Sequence, residues 1–79
     1  MDAYIKLLQQ ASGDIWKVYK KHLLHEQRFS DAWWENMLKE FNETCKKYEG
    51  TEVAEYTRLY ANACASDAER LSKQIRGEH

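Results

Sequence analysis

The sequence contains no proline and only three glycines among its 79 residues. Proline and glycine mark most turns and interrupt helices, so their scarcity favours a helical protein with few turns. No run of about 18 apolar residues is present, which argues against a membrane-spanning segment. Cys45 and Cys64 are the only cysteines. Because the N-terminal stretch lacks a signal-peptide pattern, we expect a cytosolic protein with both thiols reduced and packed.

The composition fits one small folded domain that spans residues 1–79. Apolar residues make up 43% of the chain and aromatic residues 13%, which argues against disorder. Charged residues make up 32%, but the net charge is −1, so the molecule as a whole does not attract nucleic acid. A chain this short buries only about 60–65% of the surface that its unfolded form exposes. We therefore expect a homo-oligomer, in which self-association supplements the core.

The periodicity of apolar residues predicts an all-α fold with three helices. The architecture is either a three-helix bundle or a long helix followed by an antiparallel helical hairpin, with helices at about residues 2–24, 31–48 and 52–76. The first helix carries a seam at spacings of three and four: Met1, Tyr4, Leu8, Ala11, Ile15, Val18 and His22. Gly13 either bends this helix or separates two helices, with Asp14 capping the second. Because the seam keeps its phase across Gly13, we predict one continuous helix.

Capping residues mark the other two helices. Ser30 is a good N-cap for the second helix, and Phe29 and Trp34 have the spacing of a hydrophobic staple. The predicted core face of that helix is Trp34, Met37, Leu38, Phe41, Cys45 and Tyr48. Gly50 ends it, Thr51 caps the third helix, and so short a link predicts an antiparallel hairpin. The hairpin places Cys45 and Cys64 about 13 Å apart along its length, too far for a disulfide.

Trp33 and Trp34 are adjacent near the start of the second helix. Successive helical residues differ in direction by about 100°, so if Trp34 faces the core, Trp33 points well away from it. We therefore predict that Trp33 lies on a surface that a partner or a second copy covers. The alternative is that the first helix wraps around and covers Trp33.

A basic and aromatic cluster lies near the end of the first helix. Its candidate binding residues are Trp16, Lys17, Tyr19, Lys20, Lys21 and Arg28. Such a surface could hold a phosphate or an acidic partner, with an aromatic ring that stacks on a base. The alternative is a solvated helix face whose cations complement the negative end of the helix dipole.

Several functional classes have little support in the sequence. We predict no enzyme, since nucleophile motifs and phosphate-binding glycine loops are absent. His22, His25 and Glu26 have a spacing that could begin a zinc site, but a third strong ligand is missing nearby, so we predict no metal or cofactor. The second and third helices begin with acidic residues that would repel phosphates, which makes a DNA-binding regulator the weaker alternative.

Three stretches resemble small all-helical proteins of phages and mobile elements of gut bacteria. They are the GDIWKVYKK segment at 13–21, Trp33-Trp34-Glu35, and the KKYEGT segment at 46–51. That family has no assigned activity, so the resemblance implies a genetic setting only. Small phage proteins of this type are often antagonists of host defence, which block a defence protein or sequester its nucleotide signal.

These observations predict a non-enzymatic binding protein of the host cytosol. In one version it is an anti-defence factor that sequesters a small anionic nucleotide or occludes a host protein, with Trp33 and the basic cluster as its contacts. In the other it is a protein–protein adaptor or oligomerisation module without a small ligand. We expect neither a membrane nor a nucleic acid as partner.

Overall fold

The computed structural model describes residues 2–75, which form three helices: α1 (Asp2–Leu23), α2 (Asp31–Lys47) and α3 (Ala54–Ile75). Each helix packs against both others, and no strand occurs within the described part of the chain, so the predicted all-α three-helix bundle is confirmed. Helix α3 begins two residues later than predicted, and its predicted last residue, at 76, lies outside the described range. None of these helices is both long enough and apolar enough to cross a membrane.

Helix α1 runs through Gly13 without interruption, as the phase of its apolar positions predicted. Its buried side chains lie on one face, at Ala11, Ile15, Tyr19 and His22. The predicted seam is therefore correct in its middle. At its start, Tyr4 is 38% exposed, and Met1 lies outside the described residues.

The start of α2 has the predicted cap and staple. The backbone N–H of Trp33 donates a 3.2 Å hydrogen bond to Oγ of Ser30. The rings of Phe29 and Trp34 pack with their centres 6.3 Å apart. Phe29 has a φ of 70°, in the left-handed region that a bulky side chain rarely adopts. Packing of its ring therefore holds a backbone conformation that is unfavourable by itself.

A short turn joins α2 to α3. Gly50 has a φ of 79° and lies two residues after Tyr48, which caps the end of α2. Thr51 Oγ1 donates to the carbonyl oxygen of Tyr48 at 2.6 Å and accepts from the N–H of Val53 at 3.3 Å. This turn occupies two residues that we predicted to be helical, which is why α3 begins at Ala54.

The main core lies where the three helices meet. Its buried members are Ile15, Tyr19, Trp33, Met37, Phe41, Ala61, Cys64 and Ala68. A smaller cluster near the hairpin turn contains Ala11, Tyr48 and Val53. Cys45 packs against the main core, and Cys45 and Cys64 are both free thiols.

The prediction that Trp33 lies off the core is wrong. Trp33 is 3% exposed, whereas Trp34 is only partly buried. Fully buried Met37 marks the middle of the buried face of α2, and the two tryptophans diverge from it by about 40° and 60° in opposite directions. Because α2 packs between two helices, Trp33 is covered by α1 while Trp34 turns toward α3. Leu38, which we placed on the core face, is 44% exposed.

Candidate functional site

The predicted basic and aromatic cluster of α1 divides into exposed and buried residues. Trp16 is 47% exposed, and Lys17 and Lys20 are exposed near it. Tyr19 is buried, and its hydroxyl donates a 2.6 Å hydrogen bond to Oδ2 of Asp67 on α3. Tyr19 therefore packs the bundle and is unavailable for stacking on a ligand.

The other predicted site residues interact within the chain. Lys21 Nζ lies 2.5 Å from Oε1 of Glu40 on α2. The Arg28 guanidinium lies 5.9 Å from the centre of the Phe29 ring, and Trp33 is buried against α1. These three residues belong to the side where α1 meets α2 or to the connection between them. The predicted site residues therefore do not form one surface.

Two cross-helix hydrogen bonds define the side where α1 meets α3. The hydroxyls of Ser12 and Tyr56 are 2.5 Å apart, and Tyr19 donates to Asp67. Residue numbers rise together along the two helices, so α1 and α3 run parallel. Trp16 lies one turn from both Ser12 and Tyr19 on this side of α1. Its half-exposed ring is thus held between two fixed contacts.

Aromatic side chains of α3 extend this exposed surface. Tyr56 is 39% exposed, and the Tyr56 and Tyr60 rings pack edge to face at 6.1 Å. We call this surface, made of Trp16, Lys20, Tyr56 and Tyr60, the Trp16 face. The exposure of its α3 half could not be predicted from the sequence, because Tyr56 and Tyr60 lie four residues apart, a spacing typical of a buried helix face.

Electrostatics show that the Tyr19–Asp67 pair is a structural contact. Burial, followed by the bond to Asp67, raises the pKa of the Tyr19 hydroxyl. The hydrogen bond from Tyr19, together with one from Arg70, lowers the pKa of Asp67. At neutral pH the phenol stays protonated and the carboxylate stays charged, so the pair fastens α1 to α3.

Two carboxylates fasten α1 to α2. Asp14 Oδ2 accepts a 2.5 Å hydrogen bond from the hydroxyl of Tyr48 and a 2.9 Å bond from Nζ of Lys47. These bonds, that from Tyr48 foremost, lower the pKa of Asp14. Glu40 binds Lys21 and also Nε2 of His22, at 3.0 Å. Burial opposes the charge on Glu40, but these two hydrogen bonds outweigh it and lower the pKa.

The side where α2 meets α3 is open. Two adjoining depressions of about 330 and 550 Å³ run along it and share Leu38, Asn62 and Ala65. Leu38 rises from the α2 side, while Ala61 and Ala65 on α3 are small. We call this feature the α2–α3 groove. The small residues Ala61 and Ala65 can be read from the sequence, whereas the exposure of Leu38 depends on how the helices pack.

Both histidines in the described part of the chain have hydrogen-bond partners. His25 Nδ1 accepts a 3.1 Å hydrogen bond from the N–H of Gln27, and His22 pairs with Glu40. Within residues 2–75, no group of three or more His, Cys, Asp or Glu side chains is arranged to hold a metal ion.

Two surfaces of the described chain thus combine apolar side chains with exposure, namely the Trp16 face and the α2–α3 groove. The third side, between α1 and α2, is bridged by Trp33, Asp14 and Glu40, and the depression beside His22 and Trp33 has only about 100 Å³. No protein-family model matches the chain, and no curated protein or solved structure is significantly similar to it.

Proposed function

We propose that this chain is a non-enzymatic binding protein that covers a surface of a partner protein, with the Trp16 face as its contact. The observation that carries the proposal is the half-exposed ring of Trp16 on a fixed helix surface. Tryptophan is enriched among the residues that dominate binding energy at protein interfaces. A large aromatic side chain left in water on so small a domain suits a role in binding.

The surroundings of Trp16 favour binding without large rearrangement. Ser12 and Tyr19, one turn away on either side, are both bonded to α3. The helix beneath the ring is therefore already ordered, and a partner that covers the ring orders few additional groups. Such preorganisation lowers the entropic cost of association.

Charge near Trp16 indicates the chemistry of the partner. Lys20 lies one turn after Trp16 and has no ion-pair partner among residues 2–75, and Lys17 is exposed next to Trp16. A partner that presents an apolar pocket flanked by carboxylates would complement this arrangement. Occlusion of a protein fits better than sequestration of a nucleotide, because Tyr19 and Trp33 are buried and Lys21 is paired with Glu40.

The resemblance to small phage proteins supports a host defence protein in the cytosol as the partner. In this version the chain blocks a defence protein by covering the surface through which that defence protein acts. Expression in a defence-carrying bacterium should then restore phage plaque formation, and Trp16→Ala should abolish the effect. Leu24→Ala is the matched control, because Leu24 is 74% exposed and lies just beyond α1, off the Trp16 face.

Photo-crosslinking in those cells tests the contact directly. A photoreactive residue in place of Lys20 should capture one host protein, whereas the same residue in place of Lys39, an exposed lysine of α2, should not. Trp16→Ala should remove the crosslink while the circular dichroism spectrum stays unchanged. Crosslinking that survives Trp16→Ala would overturn the proposal. A small molecule found by native mass spectrometry of the gently purified protein would favour nucleotide sequestration instead.

A further inference from the structure

We propose that the α2–α3 groove is an interface at which two copies of this chain pair about a two-fold axis. The hydrogen bonds and ion pairs between helices described above each join α1 to α2 or to α3. Helices α2 and α3 also pack against each other and are connected by the turn at Gly50. The groove on their outer side has a mixed lining, in which Leu38 and Ala65 lie beside polar side chains such as Asn62.

The shape of the groove is that of a helix-packing surface. On α2 it extends from Trp34 to Lys46, which is about 18 Å of helix. In the middle of the groove the α2 side carries Leu38, which is 44% exposed, and the α3 side carries the small Ala65. A large side chain beside a small one fits a copy of the same surface when the large residue of each copy lies on the small residue of the other.

The placement of Leu38 on Ala65 selects a two-fold axis that runs along the groove rather than across it. A two-fold axis along the groove lays α2 of one copy along α3 of the other, with the hairpin ends at the same level. Leu38 lies at the same level as Ala65, because both line both depressions. Leu38 of each copy would then fill the space above Ala65 of the other.

Charges on the groove suit self-pairing rather than a strongly charged partner. The hairpin end carries Glu49 with Lys46 and Arg58, and the opposite end carries Glu69 with Lys73. Each end thus presents both signs. In the arrangement above, Glu49 of one copy lies opposite Arg58 of the other, and symmetry makes this contact twice. A chain too short for a large core also gains stability from such burial by mass action.

Sedimentation velocity tests the pairing. The wild-type protein should reach twice the 9.4 kDa chain mass at concentrations up to roughly 100 µM, a range that detects weak dimers. Leu38→Glu should remain a monomer with an unchanged circular dichroism spectrum. Leu24→Glu is the matched control, since Leu24 is a more exposed leucine that does not line the groove, and it should still dimerise. A monomeric wild type, a dimeric Leu38→Glu or a monomeric Leu24→Glu would each overturn the proposal.

A charge-reversal pair decides the arrangement even if Leu38→Glu fails to fold. Glu49→Arg and Arg58→Glu should each raise the dimer dissociation constant by about tenfold or more, because like charges would meet across the axis. The double variant should restore the wild-type value. Single variants that dimerise like wild type, or a double variant that is weaker than either, would remove the proposed two-fold axis.

Discussion

Nε1 of Trp33 donates a 2.7 Å hydrogen bond to the backbone carbonyl oxygen of His22. The same ring packs edge-on against the His22 imidazole, with ring centres 6.0 Å apart. Because His22 lies in the last turn of α1 and Trp33 in the first turn of α2, the indole fastens the end of one helix to the start of the next. Trp33 is therefore an interior residue whose polar atom has a specific partner.

Replacement of Trp33 should destabilise the protein more than replacement of Trp34. Trp33→Ala should lower the free energy of unfolding by about 3–5 kcal/mol, enough to unfold much of a marginal domain. Trp33→Phe keeps much of the packing but loses the hydrogen bond to His22. It should therefore lower the free energy of unfolding by about 1 kcal/mol more than Trp34→Phe does. Urea unfolding followed by circular dichroism measures the free energy of unfolding of Trp33→Ala and Trp33→Phe, with Trp34→Phe as the matched control. Equal losses for the two phenylalanine variants would contradict this role of the indole nitrogen.

Local sequence signals were enough for most of the fold. The cap at Ser30, the staple between Phe29 and Trp34, and the stop near Gly50 depend on neighbouring residues, and the structure has all three. The continuity of α1 through Gly13 followed from the phase of its seam. The late start of α3 did not follow, because the side chain of Thr51 bonds both sides of its own turn and delays the first helical residue.

The candidate site was less predictable, because exposure depends on how the helices rotate against each other. Periodicity gives a helix one buried face, but α2 packs between two helices, so its buried face is wide enough to include both Trp33 and part of Trp34. Tyr19 was predicted to be a binding residue because it lies among lysines, but its ring is buried and its hydroxyl donates to Asp67 on α3. Asp67 is 48 residues away in the chain, and no pattern among neighbouring residues predicts such a contact.

The free energy of unfolding should fall as the pH is lowered below about 5. Asp14 and Asp67 have pKa values below their ordinary 3.8, and Glu40 has one below its ordinary 4.5. Carboxylates with depressed pKa values stabilise the fold above their ordinary pKa, and this stabilisation is lost as the pH falls through the folded-state pKa. Urea midpoints measured from about pH 6 to about pH 2 should show the decline.

Tyr48→Phe is the internal test of that acid sensitivity. It removes the hydroxyl that donates to Asp14, so the pKa of Asp14, followed by carbon NMR, should rise toward 3.8. At neutral pH, Tyr48→Phe should lower the free energy of unfolding by about 1 kcal/mol. This difference from the wild type should become smaller in acid, because Asp14 is then protonated in both proteins. An unchanged Asp14 pKa would show that this hydroxyl does not stabilise the carboxylate.

The left-handed backbone at Phe29 should be measurable by comparing two small substitutions. Phe29→Gly and Phe29→Ala both lose the ring, which packs against Trp33 with centres 5.0 Å apart. Only glycine adopts a φ of 70° without a steric penalty, so the glycine variant should be the more stable by about 1 kcal/mol. Thermal unfolding of the two variants gives the difference directly, and a more stable alanine variant would exclude backbone strain at this position.

The two cysteines should differ in how fast they react with iodoacetamide at about pH 8. Burial raises the pKa of the Cys64 thiol to about 11, and it also raises that of the half-buried Cys45. Because the thiolate is the reacting form, Cys45 should be modified first, and both should react faster in urea. Peptide mapping by mass spectrometry assigns the sites. Modification of Cys64 first in the native protein would contradict the packing of α3.

Gly13 and Gly50 should respond in opposite ways to alanine. A Cβ built at Gly13 meets no atom within 4 Å, and Gly13 lies inside α1, so Gly13→Ala should stabilise the fold by about 0.5–1 kcal/mol. Gly50 also has open space, but its φ of 79° disfavours any side chain, so Gly50→Ala should destabilise the fold by about 1 kcal/mol. The two variants add the same methyl group, so their melting temperatures isolate the backbone contribution. A lower melting temperature for Gly13→Ala would contradict a continuous, regular α1 helix at residue 13.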